Sequence, residues 1–210
     1  MTKLVLASTS PARLRLLRDA GIDPVVIAPN VDEEQVGEMA LAAGTISTTA
    51  DLVLLLAKCK AEAVVQNPLA EDALIIGCDS ALDLDGEALG KPLEPEVAIE
   101  RWKAMRGRSG RLYTGHWLID NRVKTPMPPA TGRATNTTVH FASLSDQEIL
   151  AYVGTGEPLK VAGAFTIDGL GGAFIRAIEG DAHTVVGLSL PTLRELSISL
   201  GVDYPSLWRA

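Results

Sequence analysis

The first residues that could do chemistry lie in a turn between a short apolar stretch and a helix. Ser10 is a preferred N-cap residue and Pro11 suits the first helical position, so the helix start is well specified. Backbone N–H groups at such a start, together with the positive end of the helix dipole, form an anion site. Ser8 adds a hydroxyl to this site and Arg13 adds a forked cation. An ordinary helix cap with a surface arginine is the alternative interpretation of these residues.

Two carboxylates follow predicted strands. Glu33 stands in an acidic loop, residues 31–34, where neighbouring carboxylates could hold a hard divalent cation through oxygen ligands. The alternative for this loop is a solvated acidic surface. Asp79 comes after a fully apolar strand predicted at residues 73–76, at the place where open α/β sheets bind ligands. The alternative for Asp79 is a turn-forming aspartate that caps the residues after it.

Three lysines are candidates for contacts to an anion. Lys91 follows Gly90 and precedes Pro92, so the chain direction at this lysine is restricted. The segment is not a Walker loop, because the required glycine spacing and the hydroxyl after the lysine are missing. Lys58 and Lys60 are two residues apart on a predicted helix and face different directions, so at most one of them faces a cleft.

Other polar segments carry weaker signals. The basic stretch at residues 106–111 could contact either a phosphate or a neighbouring acidic loop. The glycines of residues 169–172 lack the full dinucleotide-binding pattern, and a tight hairpin turn is the favoured interpretation. The three histidines, His116, His140 and His183, are scattered and no G-x-S-x-G elbow occurs. The sequence therefore offers no local support for a Ser-His-Asp hydrolase.

Strands and helices alternate along the chain, which favours an α/β sheet over an all-β or all-α fold. Residues 121–135 are predicted to form a mobile loop or a hairpin tip. Apolar and alternating segments predict strands at residues 3–7, 24–28, 73–76 and 137–142, a hairpin at 81–90 around Asp85-Gly86, and two glycine-rich strands within 163–176. Caps and apolar periodicity predict helices at residues 11–20, 50–66, 95–106, 145–155 and 191–200.

Composition limits the class of protein. The 210 residues, 47% of them hydrophobic, suffice for one large domain or two small lobes. A formal net charge of −7 argues against nucleic acid as a partner. The apolar runs are too short to span a membrane, and the N-terminus lacks a signal peptide. Because Cys59 and Cys78 stand in apolar segments rather than in a paired framework, a reducing compartment is expected.

A series of short motifs, taken in order, resembles the Maf family of nucleotide pyrophosphatases over nearly the whole chain. The variant that includes His116 and Asp168 is similar to the actinobacterial branch of the family. The motifs are Ala7-Ser-x-Ser-Pro-x-Arg13, Val31-Asp-Glu33, Leu56-Ala-x-x-Lys60-Ala61, Gly77-Cys-Asp-Ser80, Gly90-Lys-Pro92, Tyr113-Thr-Gly115 and Ala162-Gly-Ala-Phe165, with further similar segments at 169–172, 178–180 and 185–188.

The resemblance implies a two-lobed α/β fold like that of inosine triphosphatases, with a mixed sheet flanked by helices and a central cleft, in a single domain of residues 1–210. It implies a cytoplasmic nucleoside triphosphate pyrophosphatase that uses Mg²⁺ or Mn²⁺ and is often a homodimer. Asp79 is implied as the proton acceptor, with Glu33 beside it at the metal. The residues implied to hold the triphosphate are Ser8, Arg13, Lys60 and Lys91.

Two positions depart from the family pattern. Ala12 occupies the first of two successive arginine positions found in many relatives, so one phosphate or base contact is missing. Asp168 stands where the family often has glutamine, at a position expected to contact the base or its neighbours. An ionised aspartate accepts hydrogen bonds but cannot donate them, which favours an amino-bearing edge of the base. The preferred base, including a modified or non-standard one, stays open.

Hydrolysis between the α and β phosphates needs charge neutralisation and an oriented water more than covalent catalysis. We therefore expect Asp79 to orient or deprotonate a water at the metal, and Lys91 and Arg13 to stabilise the departing pyrophosphate. Two other functions are alternatives. One is a nucleotide-binding regulator of cell division without essential catalysis, and the other is a phosphomonoesterase that releases orthophosphate.

Overall fold

The computed structural model describes residues 1–209, in which strands and helices alternate as predicted. Most strands coincide with apolar and β-branched segments, which fit a pleated and buried surface. The strands are β1 (Leu4–Ala7), β2 (Val25–Val26), β3 (Leu74–Leu84), β4 (Glu87–Leu89), β5 (Ser109–Asp120), β6 (Ala130–Phe141) and β7 (Ile175–Glu179).

Most helices begin where a short polar side chain can bond to the N–H groups of the first turn. Ser10, Asp32, Thr48, Ser145 and Ser189 each accept such a bond. Within the described part of the chain, no helix is long and apolar enough to cross a lipid bilayer. The helices are α1 (Pro11–Asp19), α2 (Glu33–Ala42), α3 (Thr49–Glu62), α4 (Pro95–Met105), α5 (Asp146–Gly154), α6 (Ala182–Val186) and α7 (Leu190–Ser199).

The strands form a mixed sheet in the order β2-β1-β3-β5-β6-β7, with β4 paired to β3. Strand β1 is parallel to both β2 and β3, whereas β3 with β4 and β6 with β7 are antiparallel pairs. The register pairs Ala7, at the end of β1, with Gly77 of β3. The residues that follow Ala7 therefore lie beside those that follow Gly77. The predicted α/β fold with a mixed sheet and flanking helices is confirmed.

The chain forms two compact units from non-contiguous segments. The first unit contains residues 1–79, residues 114–135 and the described residues from Gly187 onward. The second contains residues 80–113 and 136–186, so β3, β5 and β6 each contribute to both units. The expectation of a single domain over residues 1–210 stays a prediction, and Ala210 lies outside the described residues.

The core of the first unit has two apolar layers, because β1 is buried on both faces. Leu4 and Leu6 contribute to one layer together with side chains of α1 and α7. Val5 and Ala7 contribute to the opposite layer, which includes Ala61 of α3. The end of β1 is thus held between helices on both sides.

The core of the second unit is built around Trp102 of α4, which is fully buried. Its ring makes edge contacts with the rings of Phe141, Tyr152 and Phe174. Its indole N–H donates to the carbonyl oxygen of Ala164 at 2.8 Å, so the polar atom of this large side chain is satisfied. This bond also holds the segment that leads to residue 168.

Several predicted boundaries change in the structure. The strand predicted at residues 73–76 continues to Leu84, so Asp79 lies within β3 rather than after it. The strand predicted at residues 24–28 is reduced to the two residues of β2. The hairpin turn at Asp85-Gly86 is confirmed, and its positive φ angles of 58° and 88° suit a two-residue type I′ turn. Residues 121–129 form the connection between β5 and β6.

The two glycine-rich strands predicted within residues 163–176 are wrong, and so is the hairpin turn expected at residues 169–172. The segment instead forms short 3₁₀ turns at Ala162–Ala164 and Leu170–Phe174, before β7 begins at Ile175. The cause is Glu157, whose carboxylate accepts the backbone N–H groups of residues 170 and 171. Those N–H groups are therefore bonded to a side chain rather than to a neighbouring strand.

Candidate active site

A lysine between two carboxylates forms a largely buried polar cluster in the first unit. Lys60 of α3 places its Nζ 2.6 Å from Oδ1 of Asp79 in β3. The same Nζ lies 2.8 Å from Oε1 of Glu33, the first residue of α2. The side chains of Lys60 and Asp79 are only 6% and 11% exposed, whereas that of Glu33 is 40% exposed. The cluster therefore opens toward solvent on the Glu33 side.

Two glycines allow α3 to lie close enough to the sheet to form this cluster. A Cβ atom at Gly77 of β3 would lie 2.2 Å from the carbonyl oxygen of Ala57 in α3. A Cβ atom at Gly115 of β5 would lie 2.1 Å from the carbonyl oxygen of Val53. Only residues without a side chain permit this approach. Gly77 thus brings Lys60, one helical turn after Ala57, over β3.

The two lysines of α3 differ as predicted. Lys60 is buried, whereas Lys58 is 43% exposed and pairs at 3.9 Å with Glu62. The Nζ of Lys58 also lies 5.3 Å from the ring centre of Trp117. Lys60 alone of the two therefore belongs to the polar cluster.

Burial raises the pKa of the Asp79 carboxyl above its usual range. The nearby cations of Lys60 and Arg13 act in the opposite direction, and the carboxylate of Glu33 adds to the increase. A carboxylate whose pKa moves toward neutrality is a stronger base, as a proton acceptor in catalysis requires. Burial also raises the pKa of the adjacent Cys78 thiol to about 12, so this thiol stays protonated and is not a nucleophile.

Glu33 is held in place by the start of a helix that the sequence analysis did not predict. The predicted acidic loop is wrong from Glu33 onward, because α2 begins there. Asp32 is the N-cap, and its side chain accepts the backbone N–H of Gln35 at 3.0 Å. Acidic residues in a first helical turn are also stabilised by the helix dipole. The cap orients Glu33 more narrowly than a solvated loop would.

The turn after β1 is a capped helix start, as predicted. The Oγ of Ser10 accepts the backbone N–H of Arg13, and the Oγ of Ser8 accepts the backbone N–H of Ser10 at 3.1 Å. These bonds use two of the N–H groups that were expected to bind an anion, and Pro11 has none. Within residues 1–209, the structure shows no hydrogen-bond partner for the backbone N–H of Ala12.

Arg13 is buried, so the alternative of a surface arginine is wrong. Its Nε donates to the carbonyl oxygen of Gly187 at 2.6 Å. Its Nη1 donates to the carbonyl oxygen of Cys78 at 2.9 Å and to the Oγ of Ser8 at 3.3 Å. Arg13 therefore joins the turn after β1 to the residue just before Asp79. The structure brings Ser8, Arg13, Glu33, Lys60 and Asp79 together within one unit.

Lys91 and Asp168 belong to the second unit and are exposed. The backbone around Lys91 is held by Gly90, whose carbonyl oxygen accepts the N–H of Gly163 at 3.2 Å. Gly90 also accepts a hydrogen bond from the side chain of Arg101 at 2.6 Å. The backbone hydrogen bond between Gly163 and Gly90 therefore joins the segment that carries Lys91 to the segment that leads to Asp168. The roles of both residues stay predictions.

The basic stretch after α4 pairs with acidic residues of its own unit. Nη1 of Arg106 lies 2.5 Å from Oδ1 of Asp146, and Nη2 of Arg108 lies 2.7 and 2.6 Å from the two carboxylate oxygens of Asp85. For these two arginines, the interpretation as partners of neighbouring acidic residues is therefore the one that the structure supports.

A row of hydrogen-bonded side chains across β5, β6 and β7 was not predicted from the sequence. His140 Nδ1 lies 2.7 Å from Ser109 Oγ, and its Nε2 lies 3.0 Å from Glu179 Oε1. Because strand pairing brings these residues together, no local sequence motif predicts their contact. The side chain of Glu179 is 75% exposed, so solvent weakens the attraction between its carboxylate and the imidazole of His140. We therefore assign this row to the sheet surface.

The donor set around Lys60 suits a hard divalent cation. Mg²⁺ commonly binds one or two protein carboxylates and completes its coordination with substrate phosphates and water. Asp79 and Glu33 supply such a pair of carboxylates, and both contact the ammonium group of Lys60. Within residues 1–209, no group of three or more His, Cys, Asp or Glu side chains is arranged to hold a metal.

The sheet and this site define an α/β protein whose polar residues gather where β1 ends beside β3. The chain matches the family described as Maf-like protein over residues 3–199 and belongs to that family, which confirms the resemblance seen in the motifs.

Two relatives resemble the chain over almost its whole length. It is 51% identical over 206 residues to the nucleoside triphosphate pyrophosphatase of Streptomyces avermitilis, with 98% of this chain and 94% of that protein covered. It is 54% identical over 209 residues to the nucleoside triphosphate pyrophosphatase of Leifsonia xyli, with 98% and 96% covered. Among solved structures, the Ham1 protein of Staphylococcus aureus matches 67% of this chain and 72% of its own, with 19% identity and a TM-score of 0.40.

Proposed function

We propose that this chain hydrolyses nucleoside triphosphates to the nucleoside monophosphate and pyrophosphate. The observation that carries the proposal is the buried cluster in which Lys60 joins Asp79 to Glu33. It combines a carboxylate suited to accept a proton with a second carboxylate suited to a cation. The relatives named nucleoside triphosphate pyrophosphatase, 51% and 54% identical over 98% of the chain, support the same activity here.

Asp79 is the proposed general base. Its carboxylate accepts a proton from a water whose oxygen bonds to the α-phosphorus. The bond between the α-phosphorus and the oxygen bridging to the β-phosphorus breaks, and pyrophosphate leaves with that oxygen. The raised pKa of Asp79 supports this role, because it makes the carboxylate a stronger base. Lys60, at 2.6 Å, orients Asp79.

Glu33 and Asp79 are the proposed protein ligands of Mg²⁺ or Mn²⁺. The bound cation would neutralise charge on the phosphates during the displacement. Ser8, Arg13, Lys60 and Lys91 are proposed to hold the triphosphate. Arg13 and Lys91 stabilise the departing pyrophosphate, since charge develops on it in the transition state.

Asp168 is proposed to read the base. A carboxylate accepts hydrogen bonds but does not donate them, so bases with an amino group on the recognised edge are favoured over those with a carbonyl. A panel of common and modified triphosphates tests this preference. Asp168→Gln restores a donor, and it should narrow the difference in kcat/KM between amino-bearing and carbonyl-bearing bases.

Hydrolysis in ¹⁸O-labelled water tests both the reaction and the site of attack. The purified protein is incubated with each triphosphate and Mg²⁺ or Mn²⁺, and the products are identified by mass spectrometry. Label in the nucleoside monophosphate, with unlabelled pyrophosphate, is expected. Orthophosphate as the sole phosphate product would indicate a phosphomonoesterase, and binding without turnover would indicate a nucleotide-binding regulator. Asp79→Asn should bind nucleotide but lose turnover.

We also propose that the protein acts in the cytoplasm as a homodimer. Cys59 and Cys78 are both free thiols, which supports a reducing compartment. Sedimentation of the purified protein tests the dimer.

A further inference from the structure

One buried histidine of the first unit takes no part in the proposed chemistry. His116 of β5 has a relative exposure of 0%. Its Nε2 lies 2.8 Å from the backbone nitrogen of Ser189, and its Nδ1 lies 3.4 Å from the carbonyl oxygen of Arg133. A backbone N–H only donates, so Nε2 of His116 accepts this bond and carries no proton.

The partner of His116 stands at the start of α7. Ser189 is buried, and its Oγ accepts the backbone N–H of Thr192 as a helix cap. Its own backbone N–H precedes the helix and has no carbonyl acceptor in it. A buried N–H without an acceptor is costly, so the imidazole of His116 satisfies a group that the helix cannot.

The chain just before Ser189 holds Arg13. The carbonyl oxygen of Gly187 accepts the Nε–H of Arg13 at 2.6 Å. Gly187 has a φ of 110°, which non-glycine residues rarely adopt, and Leu188 is fully buried in the core. Leu188 therefore holds the short segment from Gly187 to Ser189 against the core, and the carbonyl that binds Arg13 lies two residues before the N–H that His116 accepts.

We infer that His116 is a positioning residue that sets the orientation of Arg13 through the segment 187–189. The guanidinium group is planar, so fixing Nε on Gly187 and Nη1 on Cys78 fixes the direction of the whole group. The inference rests on the proposed function, in which Arg13 contacts the phosphates of the substrate. A displacement of about 1 Å in such a contact can lower the rate by about 100-fold.

Two substitutions separate the two hydrogen bonds of His116. His116→Gln places an amide oxygen near the original Nε2, where it can accept the N–H of Ser189. His116→Asn places its amide near the original Nδ1, so it can contact Arg133 but not reach Ser189. We expect the Gln variant to retain most activity and the Asn variant to lose about tenfold in kcat/KM. Ser189→Ala is the control for stability, because it removes the helix cap but keeps the backbone N–H.

The dependence on Arg13 is measured by a double-mutant cycle. If His116 acts through Arg13, His116→Asn lowers kcat/KM about tenfold in the original protein and leaves it unchanged in an Arg13→Ala background. Equal losses in both backgrounds would overturn the inference. So would a loss in Ser189→Ala as large as that in His116→Asn at matched stability.

A spectroscopic measurement tests the inference without turnover. The Nε–H of Arg13 should give a ¹⁵N-edited NMR signal protected from solvent exchange, assigned by its absence in Arg13→Ala. The signal should persist in His116→Gln and exchange faster in His116→Asn. Unchanged exchange in the Asn variant would overturn the inference. Failure of the original protein to release pyrophosphate would instead count against the proposed function, and the NMR result would still stand.

Discussion

The ammonium group of Lys60 lies 2.6 Å from Asp79 and joins it to Glu33, 2.8 Å away on the other side. One buried cation thus balances two carboxylates from different elements of the fold. Because the attraction between charges is stronger away from water, Lys60 opposes the increase that burial and Glu33 cause in the pKa of Asp79.

Replacing Lys60 with methionine should raise the pKa of Asp79 further, because the nearest cation is lost and burial remains. The acid limb of the pH profile of kcat/KM should move to higher pH, and turnover at pH 7 should fall about 100-fold. Lys58→Met, on the exposed side of the same helix, is the matched control. An acid limb that stays in place would show that Lys60 does not tune the catalytic base.

Asp79→Asn should become more stable relative to the original protein as the pH rises. The folded-state pKa of Asp79 is raised, so its protonated form contributes stability below the ordinary aspartate pKa. That contribution is lost as the pH rises through the folded-state pKa, whereas asparagine never ionises. Urea unfolding of both proteins between about pH 4 and 7 measures the difference in unfolding free energy. Asp85→Asn, in an exposed turn, serves as the control, and a difference that shrinks with rising pH would contradict the assignment.

Gly77→Ala should disturb the contact between α3 and β3. The added Cβ would lie 2.2 Å from the carbonyl oxygen of Ala57, and backbone atoms cannot give way easily. We expect a loss of about 2–3 kcal/mol in the free energy of unfolding, together with lower activity as Lys60 moves from Asp79. Gly154→Ala, where no atom lies within 4 Å, should be neutral or slightly stabilising. Equal stability of the two variants would argue against close packing at Gly77.

Glu157→Gln should loosen the turn that carries Asp168. Burial raises the pKa of Glu157, but hydrogen bonds from Thr166 and from backbone N–H groups lower it more, and the pKa is lowered overall. Its stabilising effect is therefore present above the ordinary glutamate pKa and is lost as the pH falls through the lowered value. The substitution should lower the free energy of unfolding, measured in urea, by about 1–3 kcal/mol at pH 7 and by less near pH 3. Glu100→Gln, on an exposed ion pair, is the control; a cost independent of pH would contradict the assignment.

Divalent cation binding should depend on the nucleotide, because only two carboxylates are available from the proposed site. Calorimetry should detect weak Mn²⁺ binding to the protein alone and stronger binding with a non-hydrolysable triphosphate. Glu33→Gln should weaken Mn²⁺ binding in the presence of the triphosphate far more than Glu34→Gln does. Glu34 is the neighbour of Glu33 in the same helical turn, so its variant is the matched control. Tight Mn²⁺ binding without nucleotide would exclude the proposed ligand set.

Several parts of the fold could be predicted because they depend on neighbouring residues. The cap at Ser10, the turn at Asp85-Gly86 and the different exposures of Lys58 and Lys60 all follow from local spacing, and all are confirmed. The glycine-rich segment was mispredicted as strands because its hydrogen bonds go to the distant Glu157. Helix α2 was missed because its acidic first turn resembles a loop.

The family, the mixed α/β class and the candidate polar residues can be predicted from the amino-acid sequence, because motifs and apolar periodicity are local properties of the chain. Which of these residues contact one another depends on how the chain folds. The parallel pairing of β1 with β3 and the approach of α3 over Gly77 set Lys60 between Asp79 and Glu33. Likewise, Arg13 is anchored by Gly187 and His116 contacts Ser189 across long stretches of chain. Strand register and helix packing produce such contacts, and no local pattern of residues encodes them.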